Sequence, residues 1–300
     1  MRYLLVGLGN IGVKRRALLG ERCVGTVDPF NPSADFRDIR DCAPDRYDAA
    51  ILAVPNQVKL ELLRRLLTLR KHVLVEKPLL FPDRETAQDL NRLAHQHHAV
   101  WYTSYNHRFE PLIELLKQEL DKGTVGRIYH GRFYYGNGTV GNILGSWREE
   151  GQGVLEDLGS HLLDLVGCLF NCVGTDVATW SLERHEAKTI DHAILATADR
   201  RVVIEMSFLS WKNRFEIDLY GEHGSLHLRG LCKWGPSELL VHQRVLPSGV
   251  PREHRESRTG QDVTWQRDLE YFEHMTTMGE TSMENDWWIS SVIQHAAVST

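Results

Sequence analysis

Cysteine is scarce and scattered in this chain: five residues, at 23, 42, 168, 172 and 232, form no Cys-x-x-Cys pair in 300 residues. That excludes a disulfide framework and a cysteine-rich zinc module, and reduced thiols of a cytoplasmic protein are expected. Long hydrophobic runs are missing too. The apolar run after Met1-Arg2 stops at Gly7, and no segment approaches the roughly 20 apolar residues of a membrane span, so neither a signal peptide nor a membrane partner is expected. Nor is there an excess of positive charge. The net charge of −5 offers no basic face for nucleic acid, and the pairs Arg15-Arg16, Arg64-Arg65 and Arg200-Arg201 read as solvated surface. Tandem repeats and low-complexity tracts are absent. What remains is an ordinary globular composition, 25% charged and 42% hydrophobic, in a chain long enough for two domains.

The start of the chain carries the most information. Tyr3-Leu-Leu-Val6 reads as a buried strand and runs into Gly7-Leu-Gly9-Asn-Ile-Gly12, after which a helical stretch leads to Cys23-Val-Gly-Thr-Val-Asp28. In such a βαβ unit the first glycine permits the tight turn, the second lets the backbone approach a pyrophosphate, and the third lets the helix pack close to the sheet. A pyrophosphate then sits on the helix N-terminus, where N–H groups and the dipole favour an anion. Asp28 lies 21 positions after Gly7, close to the spacing of about 20 expected for the acidic residue that binds the adenosine ribose. A 2′-phosphate would be repelled there, and no Arg or Lys occupies the next eight positions. NAD is therefore the expected cofactor and NADP the alternative. Asn10 and Ile11 in the turn, Pro55-Asn56 after a later strand, and Glu76-Lys77 after the next complete the candidate cofactor-binding set.

Strand and helix patterns alternate up to about residue 108. Asp48–Asn56 is a strand with its turn, Lys59–Lys71 a helix, His72–Pro78 a strand, Pro82–His97 a helix and Val100–Tyr105 a strand, while Pro29–Arg46 reads as a loop. The expectation is an α/β fold: a Rossmann doubly wound parallel sheet over residues 1–108. Residues 109–300 are expected to form a second, α+β domain for substrate binding and oligomerisation. Its pattern is a helix (Pro111–Lys122), a strand (Arg127–Tyr135), a glycine-rich loop and a helical run from Val154 to Phe170. Strands follow at Val177–Arg184, His192–Thr197, Val202–Leu209, Phe215–Tyr220, Ser225–Leu228 and Leu239–Arg244, then helices at Val263–Met278 and Asp286–Val298. Short turns between the strands suit a mostly antiparallel open sheet.

Three further motifs line up: Glu76-Lys77-Pro78, Tyr105-Asn106-His107-Arg108-Phe109, and Gly151-Gln-Gly153-Val-Leu-Glu-Asp157-Leu-Gly159-Ser-His161-Leu-Leu-Asp164. Together with the glycine turn they make the chain, over nearly its whole length, resemble the glucose-fructose oxidoreductase / inositol dehydrogenase (Gfo/Idh/MocA) family. The resemblance implies hydride transfer between a nicotinamide and a secondary hydroxyl or ketone of a sugar, cyclitol or nucleotide-linked sugar. The chain departs from the family pattern in lacking a His shortly after Pro55-Asn56 and a Gly before the strand leading to Glu76, and in having Gln152 between glycines.

The chemistry also follows from the residues. Lys77 lies at the carboxyl end of a strand, where ligands bind in a doubly wound sheet, and can stabilise the alkoxide that grows as hydride leaves carbon. Asp157 and His161, four apart, share a face if they lie in one helical turn. A neutral imidazole is a suitable base for the alcohol proton, and Asp157 would orient that ring or grip a neighbouring hydroxyl. These three are the expected catalytic residues. Asn106, Arg108, Trp147, Arg148 and Tyr102 are candidates for binding substrate hydroxyls or packing the nicotinamide, and Asp164 is expected to be a structural partner. No metal is expected, since the only conceivable ligand set, Asp157, His161 and Asp164, has no further ligand pattern beside it. The strand Val202–Leu209 is read as apolar on both faces, so a homodimer or homotetramer through the second-domain sheet is expected. The rival readings are a non-catalytic dinucleotide sensor and a reductase of a non-sugar carbonyl.

Overall fold

The computed structural model describes residues 1–145, 149, 151–199 and 201–298. Two compact units emerge: Met1–Tyr105 with Trp265–Ser291, and Asn106–Thr264 with Val292–Thr300.

The first unit is a parallel five-stranded sheet of β1 (Tyr3–Val6), β2 (Cys23–Val27), β3 (Ala49–Leu52), β4 (His72–Glu76) and β5 (Trp101–Ser104), in the order β2-β1-β3-β4-β5. Between the strands run α1 (Asn10–Leu19), α2 (Asn56–Thr68) and α3 (Arg84–Gln96). Alternate residues of each strand feed two separate cores. Leu4, Val6, Ala50, Leu52, Val73 and Val75 pack with Leu63 and Leu66 of α2 and Leu90 of α3. Tyr3, Leu5, Ile51 and Leu74 pack instead with Leu269, Phe272 and Met275.

That second core explains a difference from the expected domain division. A parallel sheet buries both faces, and α1 by itself does not cover the second. The helix Thr264–Met278, assigned by sequence to the second domain, covers it from more than 160 residues downstream. The boundary also falls at Tyr105/Asn106 rather than after residue 108.

The second unit is an eight-stranded sheet in the order β13-β12-β11-β10-β6-β9-β8-β7. Its members are β6 (Ile128–Gly136), β7 (Val177–Glu183), β8 (His192–Thr197), β9 (Val202–Ser207), β10 (Arg214–Gly221), β11 (Gly224–Arg229), β12 (Ser237–Val245) and β13 (Gly249–Arg258). All neighbours are antiparallel except β6 and β9. Helix α4 (Pro111–Asp121) follows the entry into this unit. The expected single helix 154–170 is divided into a π-helical turn, Leu155–Gly159, and α5 (Ser160–Phe170). The last two helices of the chain are α6 (Thr264–Met278) and α7 (Met283–Val298).

Strand β13 was not expected. Its sequence, Gly-Val-Pro-Arg-Glu-His-Arg-Glu-Ser-Arg, has no apolar alternation because it is an edge strand with nearly every residue exposed, and charge there blocks edge-to-edge pairing. The outer row of β9 also differs from expectation. Val202, Ile204 and Met206 are buried on the inner face, but the outer row is Val203 and Glu205, with Glu205 paired to Arg132 at 2.6 Å. Among the described residues, no helix is long and apolar enough to cross a membrane.

Candidate functional site

In the first unit the carboxyl ends of β1, β3 and β4 bring the glycine turn, Pro55-Asn56 and Lys77 to one edge of the sheet. Gly7 has φ +94°, and a Cβ there would lie 2.2 Å from the Ala53 carbonyl oxygen; one on Gly12 would lie 1.9 Å from that of Gly7. These two close contacts lock the turn against β3 and the start of α1. Gly9 has open space on its Cβ side, and α1 starts with neither a side-chain cap nor an acidic residue in its first turn. A bare backbone with unpaired N–H groups is what a dinucleotide pyrophosphate requires, so the residues present fit such a group.

Asp28 stands at the end of β2 as expected, and its carboxylate is already engaged. Oδ2 accepts from Leu8 N at 2.8 Å, and Oδ1 from Phe30 N and Asn31 N, each at 2.9 Å. Partial burial works to raise its pKa, but the backbone donors and the Arg37 charge outweigh that and hold the carboxyl below its ordinary value. Arg37 lies one position beyond the eight considered from sequence. The loop folds its Nη1 to 3.0 Å from the Asn31 carbonyl oxygen and 3.5 Å from that of Asp28.

Glu76 does not stand open at the strand end. Its Oε1 is 2.7 Å from Nε of Arg15, whose Nη2 reaches Ser104 Oγ at 2.7 Å and Asp268 Oδ2 at 2.8 Å. Arg15 is fully buried, with its guanidinium 4.6 Å from the Trp265 ring centroid. This corrects the reading of Arg15 as solvated surface: adjacent residues on a helix point about 100° apart, and of the pair only Arg16 is exposed. Tyr102 belongs to the same network, donating to Asp268 Oδ1 at 3.1 Å. Lys59, unremarked in the sequence, is 2% exposed and donates from Nζ to the carbonyl oxygens of Glu76 (2.5 Å) and Pro78 (2.7 Å). It clamps the turn that carries Lys77 from both sides.

In the second unit His161 opens α5 after the π-helical turn that holds Asp157. The two are 7% and 5% exposed. Gly159 lets this turn lie against β9, since a Cβ there would be 2.7 Å from Met206 Sδ. Asp157 was expected to orient the His161 ring or to grip a neighbouring hydroxyl; at Nδ1 of His161 the structure places Nδ1 of His107, at 2.7 Å. His107 is 2% exposed, lies parallel to Phe215 at 6.0 Å and has its Nε2 3.2 Å from Lys233 Nζ. Arg108 is paired with Asp164, Nε to Oδ2 at 2.7 Å. Asn106 Nδ2 donates to Thr264 Oγ1 at 2.7 Å. Trp147 and Arg148 lie outside the described residues.

Glu110, Cys232 and Asp262 bring donor atoms within 4.8 Å of one another. Burial, followed by the adjacent Glu110, pushes the Cys232 thiol up to about 12, and burial also raises Glu110. Metal ligands must be deprotonated, and both of these shifts run against that.

Two family models match the chain in succession: "Oxidoreductase family, NAD-binding Rossmann fold" over residues 1–105, and "GFO/IDH/MocA C-terminal domain" over residues 113–227. The chain belongs to the GFO/IDH/MocA oxidoreductase family. Among characterised family members it is 29% identical over 163 residues to levoglucosan dehydrogenase of Pseudarthrobacter phenanthrenivorans, 51% of this chain and 41% of that one. It is 28% identical over 189 residues to the uncharacterized oxidoreductase YdgJ of Escherichia coli, 61% of this chain and 54% of that one. The matched stretches thus span about half the length of these relatives. The fold extends further than the sequence likeness. Levoglucosan dehydrogenase in complex with NADH superposes with a TM-score of 0.80 at 17% identity, covering 100% of this chain and 97% of that one. KijD10, a 3-ketoreductase from Actinomadura kijaniata in complex with NADP and TDP-benzene, gives 0.77 at 17% identity, covering 99% and 97%.

The residues that sequence reasoning passed over are those whose roles depend on distant partners. His107 was visible only as a letter in a motif, and Lys233 carried no signal. Arg15 and Lys59 are cations whose burial follows from carboxylates and carbonyls brought by other elements.

Proposed function

We propose that this chain is a nicotinamide-dependent dehydrogenase acting on a secondary hydroxyl, or the corresponding ketone, of a sugar, cyclitol or nucleotide-linked sugar. The observation that carries the reading is the buried His107–His161 pair. A dinucleotide sensor needs the glycine turn but has no use for two imidazoles joined through Nδ1 in a place largely closed to water. A nicotinamide, when bound, supplies or takes up hydride. The chain's own residues handle the rest: Lys77 stabilises negative charge on the substrate oxygen, and His161 exchanges the hydroxyl proton. His107 meets the His161 ring at Nδ1, and Asp157 would orient that ring further or accept a hydrogen bond from a neighbouring substrate hydroxyl.

Gly7, Gly9, Asn10, Ile11 and Gly12 would hold the pyrophosphate, with Asp28 at the ribose and Pro55-Asn56 and the Glu76-Lys77 turn along the cofactor. NAD is proposed over NADP because Asp28 keeps its charge, while the nearby Arg37 directs Nη1 to backbone carbonyls. We also propose a homo-oligomer through the outer face of the eight-stranded sheet. Its contacts would be aromatic and polar, since that face presents His130, Tyr134, Glu205 and Asp218 rather than an aliphatic row.

The test is nicotinamide absorbance with NAD and NADP against levoglucosan, scyllo-inositol, free hexoses and nucleotide-linked sugars. Turnover of a polyol supports the proposal. A chain that binds NADH yet is inert toward every polyol and ketone offered supports the sensor reading.

A further inference from the structure

Three nitrogen-bearing side chains of the second unit follow one another in contact. Lys233 is exposed, His107 and His161 are buried, and the gaps are 3.2 Å and 2.7 Å. An ammonium offers only donors, so its contact with Nε2 of His107 requires a lone pair on that nitrogen. A neutral His107 then carries its proton on Nδ1, next to Nδ1 of His161, whose ring stands at 82° to it with the centroids 3.8 Å apart. His161 in turn carries its proton on Nε2. A residue at the surface thereby fixes the tautomer of a histidine two side chains away, which spacing along the chain did not reveal.

We propose that Lys233, His107 and His161 form a proton relay, with Lys233 as its solvent-side terminus; the inference rests on the hydride-transfer reading above. In ketone reduction the hydride brings two electrons to carbon, and His161 Nε2–H gives its proton to the oxygen. His161 Nδ1 takes the proton of His107 Nδ1, and His107 Nε2 takes one from the Lys233 ammonium. Each imidazole loses one N–H bond, gains another and ends neutral; the Lys233 amine recovers its proton from water. Oxidation runs the same bonds backward. A neutral Lys233 amine leaves His161 Nε2 with the lone pair that accepts the alcohol proton.

The surroundings suit such a chain. Trp234 lies under Lys233, with Nζ 4.9 Å from its ring centroid, and Tyr135 and Phe215 flank His107. The charged and titratable groups beside the relay are Glu110, the N-cap of α4, clustered with Asp262 and with Cys232 next to Lys233, and Arg108, next to His107 in sequence and paired to Asp164; Asp157 lies four residues before His161. Lys233→Arg separates positioning from relaying, because a guanidinium donates as an ammonium does but gives up no proton.

The experiment is nitrogen-15 NMR of histidine-labelled full-length protein without substrate, for the parent, Lys233→Met and Lys233→Arg. The parent and Lys233→Arg should show His107 protonated at Nδ1 and His161 at Nε2, and Lys233→Met should lose that order. His107 protonated at Nε2 in the parent, or an unchanged pattern in Lys233→Met, overturns the proposal. Turnover is read separately on the polyol identified by the panel. Both variants should fall roughly 10- to 100-fold with altered pH profiles, and a Lys233→Arg enzyme with the parent's rate and profile reduces Lys233 to positioning and overturns the relay. A chain inert to the whole panel but showing the expected tautomers contradicts the hydride reading alone.

Discussion

The two units solve the same problem, a sheet that must be covered, in different ways. In the first, both faces are closed by helices and the key groups sit at strand ends, so each is announced by a local pattern: Gly7 to Gly12 after β1, Asp28 after β2, Lys77 after β4. In the second, one face of the sheet is open and polar, and the histidine cluster is assembled from a turn at 106–109, a helix start at 161 and a turn at 232–234. Local motifs reveal the first kind of site. The second kind exists only once residues far apart in sequence have met.

The comparison breaks most sharply at Asp268, where the first unit also depends on a distant segment. Asp268→Ala removes a partner of the fully buried Arg15 and leaves its charge poorly compensated. A loss of about 3–5 kcal/mol in urea unfolding is expected. A loss within the range of exposed substitutions would show that α6 is not integral to the first unit.

A smaller effect is expected at Lys59. Lys59→Met leaves the carbonyls of Glu76 and Pro78 without that donor, at a cost of about 1–3 kcal/mol. Turnover should fall more than stability, because the turn that carries Lys77 loses its clamp. Matching steady-state kinetics to the unfolding midpoint distinguishes this from general destabilisation.

Asp28→Ser should shift cofactor choice and little else, narrowing the preference for NADH over NADPH by about tenfold, or about 1.4 kcal/mol. The sign with pH follows from the depressed carboxyl. The folded-state charge survives as pH falls to the ordinary aspartate value of about 3.9 and is lost only below it, so fluorescence titrations at pH 5 and pH 7 should show the same preference. Tighter binding of NADPH by the parent protein would point to Arg37 as the controlling charge.

The alternation of strands and helices, the glycine turn and the family resemblance were legible because each rests on local apolar periodicity or short motifs. Strand β13 was not, since an exposed edge needs no apolar face. Arg15 looked like surface because its partners, Glu76 and Asp268, are 61 and 253 positions away. Asp157 falls in a π turn where the sequence pattern suggested a continuous α-helix. His161 lies buried on a helix, and the neighbour at its Nδ1 lies 54 residues earlier.

The central claim is that proton and charge handling at His161 and Lys77 serves hydride transfer, while the glycine turn and Asp28 serve cofactor binding. The direct measurement pairs NADH binding by fluorescence with hydride transfer by absorbance in the parent, Lys77→Met and His161→Ala proteins. The account predicts that each variant loses turnover by roughly 10² or more and binds NADH like the parent. Variants that bind and turn over as the parent does would contradict it.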